Sequence, residues 1–409
     1  MVLGHNGAAH IMRVLLPLLA LALAQPPLSR VDPSAVGLDA AKLGEATSLL
    51  ERFVADGKIA GAVAAIAKNG RLVYLHAAGV QDLETRVPMT ERSMFRIYSM
   101  TRPITATAVM MLHEEKRFRL DDPIARYLPE FDRVTVVDSP GGAVRKPARP
   151  ITVRDLLLHT SGINDRNSEP YRAAQVRSRA IPMATFLDNV IRVPLMEDPG
   201  TRFRYGESTT VLGRLVEVWS KQPFESFLQA RVFEPLGMVD TVFVVDESRR
   251  SRLATVYTPS QETGRLTARE TETVPFTERP QLIEGTVGLV STVPDYLRFC
   301  QMLLNRGELD GVRLLKPETV NLMTSNGLGA GIMKLRGGSM GWALGNVNVM
   351  TDKGSPLYGE YGWDGTAGTV FWNDPARRMV TMVWMQSQPS NPDGIRQKFK
   401  AIVQAAINE

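Results

Sequence analysis

Apolar and polar positions alternate along this chain with rhythms that change from segment to segment. Over 38–56 (LDAAKLGEATSLLERFVAD) leucines return every three or four positions among charged residues, which predicts an amphipathic helix. At 61–79 the rhythm changes to two β-rich runs on either side of Asn69-Gly70. That dipeptide accepts the left-handed backbone of a tight turn, so the segment predicts a hairpin. The first run, 60–67, has almost no polar position, as expected for a strand buried on both faces.

Residues 95–112 (FRIYSMTRPITATAVMML) read as a polar turn opening a long apolar helix. Pro103 suits a first turn, where N–H groups lack intrahelical partners, and Ala106, Val109, Met110 and His113 recur on one face. From 133 to 280 helices and loops dominate and strand signals are few. The polar stretch 141–150 predicts a surface excursion. Residues 151–163 (ITVRDLLLHTSGI) predict a helix stopping at Ser161-Gly162, residues 205–219 a second apolar helix, and 258–279 a charged loop. A helix restarts at Pro294 within 287–304. Strand signals return at 361–372 and 379–385, linked by Asn373-Asp374-Pro375, and an amphipathic helix over 394–407 closes the chain. This order predicts an α+β fold: an antiparallel sheet built from both chain ends and flanked by helices, with a mainly helical subdomain inserted at about 115–280.

Composition narrows the functional classes. The 409 residues are 44% hydrophobic and 22% charged, ordinary globular material. The net charge of +5 is spread out and no basic run interleaves with aromatics, which argues against a nucleic-acid partner. The single cysteine, Cys300, allows no internal disulfide and sits in an apolar helical pattern, so it reads as core. Five histidines without H-E-x-x-H or H-x-H spacing argue against a metal, and no cofactor motif stands in a strand-turn-helix context. Met12-Arg13, the apolar run 14–24 and Ala22-Leu23-Ala24 before Gln25 predict an export signal over 1–24. The mature chain would then be 25–409, periplasmic or secreted; the run is too short to span a membrane.

The chemistry gathers at Ser99. A serine at a helix start sits beside free N–H donors in the positive end of the helix dipole, a suitable place for a nucleophile attacking a carbonyl. Taken alone, a capping serine is the better explanation of the position. Five stretches together resemble the serine β-lactamase and penicillin-binding-protein superfamily, in its class C-like branch of esterases and D-amino peptidases. They are FRIYSMTRPI, ITVRDLLLHTSGI, FRYGESTTVLGRLVEV, GLVSTVPDYLRFCQMLLNRGELDGVRLLKPETV and GEYGWDGTAGTVFWNDP.

The resemblance implies a serine hydrolase working through an acyl-enzyme on a small ester or peptide, with a carboxylesterase favoured. A peptidase or amidase of the same fold and an inactive binding homologue are the alternatives. It makes Ser99 the nucleophile, Tyr205 the proton-transfer residue, and Trp363, Asp364 and Gly365 the strand motif lining the cleft. The oxyanion hole would come from the N–H groups of Ser99 and Thr366. Arg102 stands where the superfamily has lysine, and Glu207 where it has asparagine or serine. Arginine keeps its proton, so Arg102 cannot be the base. The two substitutions therefore predict an Arg102–Glu207 ion pair, with Tyr205 or Glu207 as base. Asp364 would pair with a substrate ammonium group. His159, in a segment shared with the superfamily, reads as structural.

Overall fold

The structure, a computed structural model, describes residues 28–138, 142–335 and 338–408; the export signal predicted at 1–24 lies outside them. Helix α1 (Ala40–Ala55) starts at Asp39, whose carboxylate accepts the N–H groups of Ala41 and Lys42 and so closes the exposed first turn. Strands β1 (Gly61–Lys68) and β2 (Arg71–Gly79) form the predicted hairpin, with Asn69 and Gly70 at φ 53° and 74°. Helix α2 (Thr101–Glu114) follows. The middle of the chain adds the short α3 (Val153–Leu157), α4 (Ser208–Ser220) and α5 (Val293–Leu304) among further short helices and two-stranded ribbons. Strands β3 (Met340–Trp342), β4 (Asn348–Met350), β5 (Tyr361–Asp364), β6 (Val370–Asp374) and β7 (Met379–Met385) and helix α6 (Ile395–Ala405) complete the chain.

The main sheet runs β3-β4-β5-β6-β7-β1-β2, antiparallel throughout, so the C-terminal strands join the N-terminal hairpin at the β7–β1 pairing. Because neighbours along a strand point to opposite faces, β1 and β7 each divide between two cores. Val63, Ala65, Val380, Met382 and Trp384 pack with α2, α5 and the helical block. Ala62, Ala64, Ile66, Val383 and Met385 pack under α1 and α6. Both faces are covered, which is why 60–67 reads as unbroken apolar sequence.

Two expectations need correction. Helix α2 is buried on more than the one face its periodicity marks: Thr101 to Leu112 are all buried, because the helix runs between the sheet and the helical block. Two of its threonines satisfy their hydroxyls on backbone carbonyls, Thr107 on that of Pro103 in the same helix and Thr105 on that of the sequence-distant Gly285. The helix predicted over 151–163 spans only Val153–Leu157. Asp155 closes a capping box with Thr152 and also accepts from Thr160, and His159 takes a left-handed φ of 54° that ends the turn. The strands β3 and β4, too short for a clear alternation, were not anticipated.

Candidate active site

Ser99 lies in a single 3₁₀ turn (Tyr98–Met100) that feeds directly into α2. The preceding residue, Tyr98, is held at φ 43°, a region non-glycine residues avoid. Its hydroxyl hydrogen-bonds Thr271, and its ring meets Phe276 edge-on at 5.8 Å. Phe276 in turn lies 4.0 Å beneath the Arg179 guanidinium. The chain therefore enters Ser99 in a conformation fixed from several sides.

Tyr205 lies at the entry to α4. Its hydroxyl accepts the Trp363 indole N–H at 3.1 Å, and the Ser99 side chain is near enough to act on its proton affinity. The two aromatic rings lie 5.2 Å apart. Burial pushes the Tyr205 hydroxyl above its ordinary value, opposed by the Arg102 charge and by the neighbouring Ser99 side chain. Arg102 stacks 4.1 Å over the Tyr205 ring and donates to the Gly206 carbonyl at 2.7 Å and the Thr209 hydroxyl at 2.9 Å. Thr209 donates onward to Asn346, which also meets His159 at 3.1 Å. This places His159 in a structural network and adds Asn346 and Thr209 to the support of the site. Neither of those two carries a motif signal.

The expected Arg102–Glu207 pair is not formed. The guanidinium is taken up by the opening turn of α4 and the tyrosine ring. Glu207 faces Arg166 instead, Nε to Oε1 at 3.8 Å. Glu207 is fully buried, and neither carboxylate oxygen has a hydrogen bond among the described residues. Burial raises its pKa; Arg166 and, further off, Arg102 oppose the shift, while Glu284 adds to it. Glu284 is itself held by Arg177, which keeps its carboxyl below the ordinary value against burial.

The strand motif sits at the end of β5. Gly365 is packed so closely that a Cβ there would lie 2.5 Å from the Ile97 carbonyl oxygen and 2.3 Å from the Thr369 hydroxyl. This contact sets the turn 365–369 directly against the backbone leading to Ser99. Thr366 is exposed at the turn, and among the described residues its N–H donates to no acceptor. Asp364 is not left for a substrate cation: Arg396 of α6 donates to it at 2.6 Å and neutralises it. Arg396 escaped sequence reasoning, although an arginine one residue after Ile395 and three before Phe399 on a buried helix stripe is a signal that could have marked it.

A family model described as Beta-lactamase matches residues 46–406. Protein Rv1367c of Mycobacterium tuberculosis is 34% identical over 360 residues, 81% of this chain and 87% of that protein. Esterase EstB of Burkholderia gladioli is 35% identical over 229 residues, 54% of this chain and 56% of that protein. Among solved structures, EstCE1, described as a hydrolase with promiscuous acyltransferase activity, superposes with a TM-score of 0.78 at 24% identity. It covers 90% of this chain and 99% of its own.

Proposed function

Given that this chain belongs to the Beta-lactamase family of serine hydrolases, we propose that it hydrolyses a carboxylic ester through an acyl-enzyme on Ser99. The observation that carries the reading is the Tyr205 hydroxyl beside Ser99, accepting the Trp363 indole N–H, with the Arg102 guanidinium on the tyrosine ring. Ser99 Oγ attacks the ester carbonyl as its proton passes to the Tyr205 oxygen. Tyr205 releases its own proton to the departing alcohol oxygen, so the tyrosine ends neutral, as its raised pKa requires. Water then attacks the acyl-enzyme, its proton passing to Tyr205 while Tyr205 returns one to Ser99. The N–H groups of Ser99 and Thr366 receive the negative charge that develops on the carbonyl oxygen.

Arg102 is a fixed cation and supplies no second base, so it acts on Tyr205 electrostatically. That favours an ester, whose alkoxide leaves more readily than the amine of an amide. The esterase among the relatives supports the same choice. The reading of Asp364 as a receptor for a substrate ammonium group loses its basis, because Arg396 already neutralises the carboxylate.

The test pairs a panel of short acyl esters with a fluorophosphonate probe. Ser99→Ala is expected to lose hydrolysis and labelling together while its melting temperature stays near the parent's, since Ser99 is only half-buried and the change removes a single hydroxyl. Undiminished turnover in Ser99→Ala would overturn the mechanism.

A further inference from the structure

Arg396 lies on α6, which covers the face of the sheet opposite α2, yet its guanidinium reaches the turn beside Ser99. One arm, Nη1, donates to Asp364 Oδ2 at 2.6 Å. The other, Nη2, donates to the carbonyls of Gly365 and Thr369, each at 3.2 Å. These three acceptors bracket the turn that presents the Thr366 N–H. The turn is closed from within by the Gly365 N–H on the Thr369 carbonyl at 2.8 Å. On its other side it abuts the Ile97 carbonyl, two residues before Ser99, at a distance that leaves no room for a Cβ. The turn is thus clamped between the nucleophile's backbone and an arginine that is 7% exposed.

We infer that Arg396 is a positioning residue for the oxyanion hole: it holds the Thr366 N–H at the place where the developing oxyanion needs it. This rests on Ser99 being the nucleophile. The physical ground is the rigid fork of the guanidinium, which fixes a carboxylate and two carbonyls at once and therefore fixes the plane of the turn. A lysine would keep the charge on Asp364 but could not hold both carbonyls in that geometry. Backbone donors act on the transition state only where they are preorganised, and small misplacements are felt strongly in the rate.

The experiment measures kcat and KM with a short acyl ester for the parent, Arg396→Ala and Arg396→Lys, each normalised to fluorophosphonate-titrated Ser99. The Ki of a boronic acid serves as a mimic of the tetrahedral adduct. Arg396→Ala is expected to lower kcat about 10–100-fold and to weaken boronate binding in step, with KM moving less than about threefold. Arg396→Lys is expected to recover part of both losses. Because Asp364 is 43% exposed, its freed charge can be solvated and the fold should survive the change. Unchanged kcat and boronate affinity in a folded Arg396→Ala would overturn the inference, as would a loss confined to KM or to the number of titratable sites. If Ser99→Ala hydrolyses the same ester as fast as the parent, the nucleophile reading fails and takes this inference with it. A dead Ser99→Ala beside a fully active Arg396→Ala overturns the inference alone.

Discussion

Glu207 illustrates how a single residue sets a condition on the whole site. Among the described residues the fully buried carboxyl accepts no hydrogen bond, and its one charged neighbour within 4.0 Å is Arg166, at 3.8 Å. Its folded pKa lies above the ordinary 4.5, so the folded state binds this proton more tightly than the unfolded chain does. The associated stability is fully present below 4.5 and is lost as pH rises through the raised folded value. Glu207→Gln keeps the shape and removes the charge. The variant should melt a few degrees above the parent near pH 8, on the order of 1–3 kcal/mol, and the gap should close toward acid pH. Thermal denaturation across that range decides it. A parent more stable than the variant at high pH would mean that Arg166 stabilises the ionised carboxylate fully.

At the scale of elements, two glycines separate backbone strain from close approach. Gly70 in the β1–β2 turn has φ 74°, but a Cβ there would touch nothing. Gly70→Ala should cost about 1 kcal/mol from the left-handed backbone alone, with turnover unchanged. Gly365 has an unremarkable φ, yet its Cβ would run into the Ile97 carbonyl and the Thr369 side chain. A backbone carbonyl cannot step aside as a flexible side chain does. Gly365→Ala should therefore displace the turn 365–369 and lower kcat about 10–100-fold. Measuring melting temperature and kcat for both variants tests the distinction. A fully active Gly365→Ala would show that the turn does not set the rate.

For the whole molecule, the segment before α1 is held against the end of α6. Leu38 bridges Ile407, the Asp39 N–H donates to the Ala406 carbonyl, and Asn408 donates to Gly37. Among the described residues the N-terminal contacts start with Leu28, packed against the larger core, and Ser29, whose carbonyl accepts from Leu72. A chain cleaved after Ala24 would keep all of these. We expect protein recovered from its native host to begin at Gln25, by N-terminal sequencing. Removal of residues 1–24 should leave the melting temperature unchanged, whereas removal through Asp39 should lower it sharply. A recovered product still carrying residue 1 or 12 would refute the export signal.

Local physics made much of this protein legible from sequence. The Asn69-Gly70 hairpin and the helices over 40–55, 208–220 and 395–405 follow from periodicity and turn chemistry, which need only near neighbours. The superfamily motifs likewise brought Ser99, Tyr205 and the strand turn into one reading. Tertiary structure decided the partners of the charges. A guanidinium goes wherever carbonyls, carboxylates and aromatic faces converge, and those come from segments far apart in the chain. Arg102 therefore met the opening turn of α4 and a tyrosine ring, Glu207 met Arg166, and Asp364 met an arginine 32 residues away. Burial of α2 on all sides was equally out of reach of the pattern, because it depends on what packs over a helix as well as on the stripe that the helix carries.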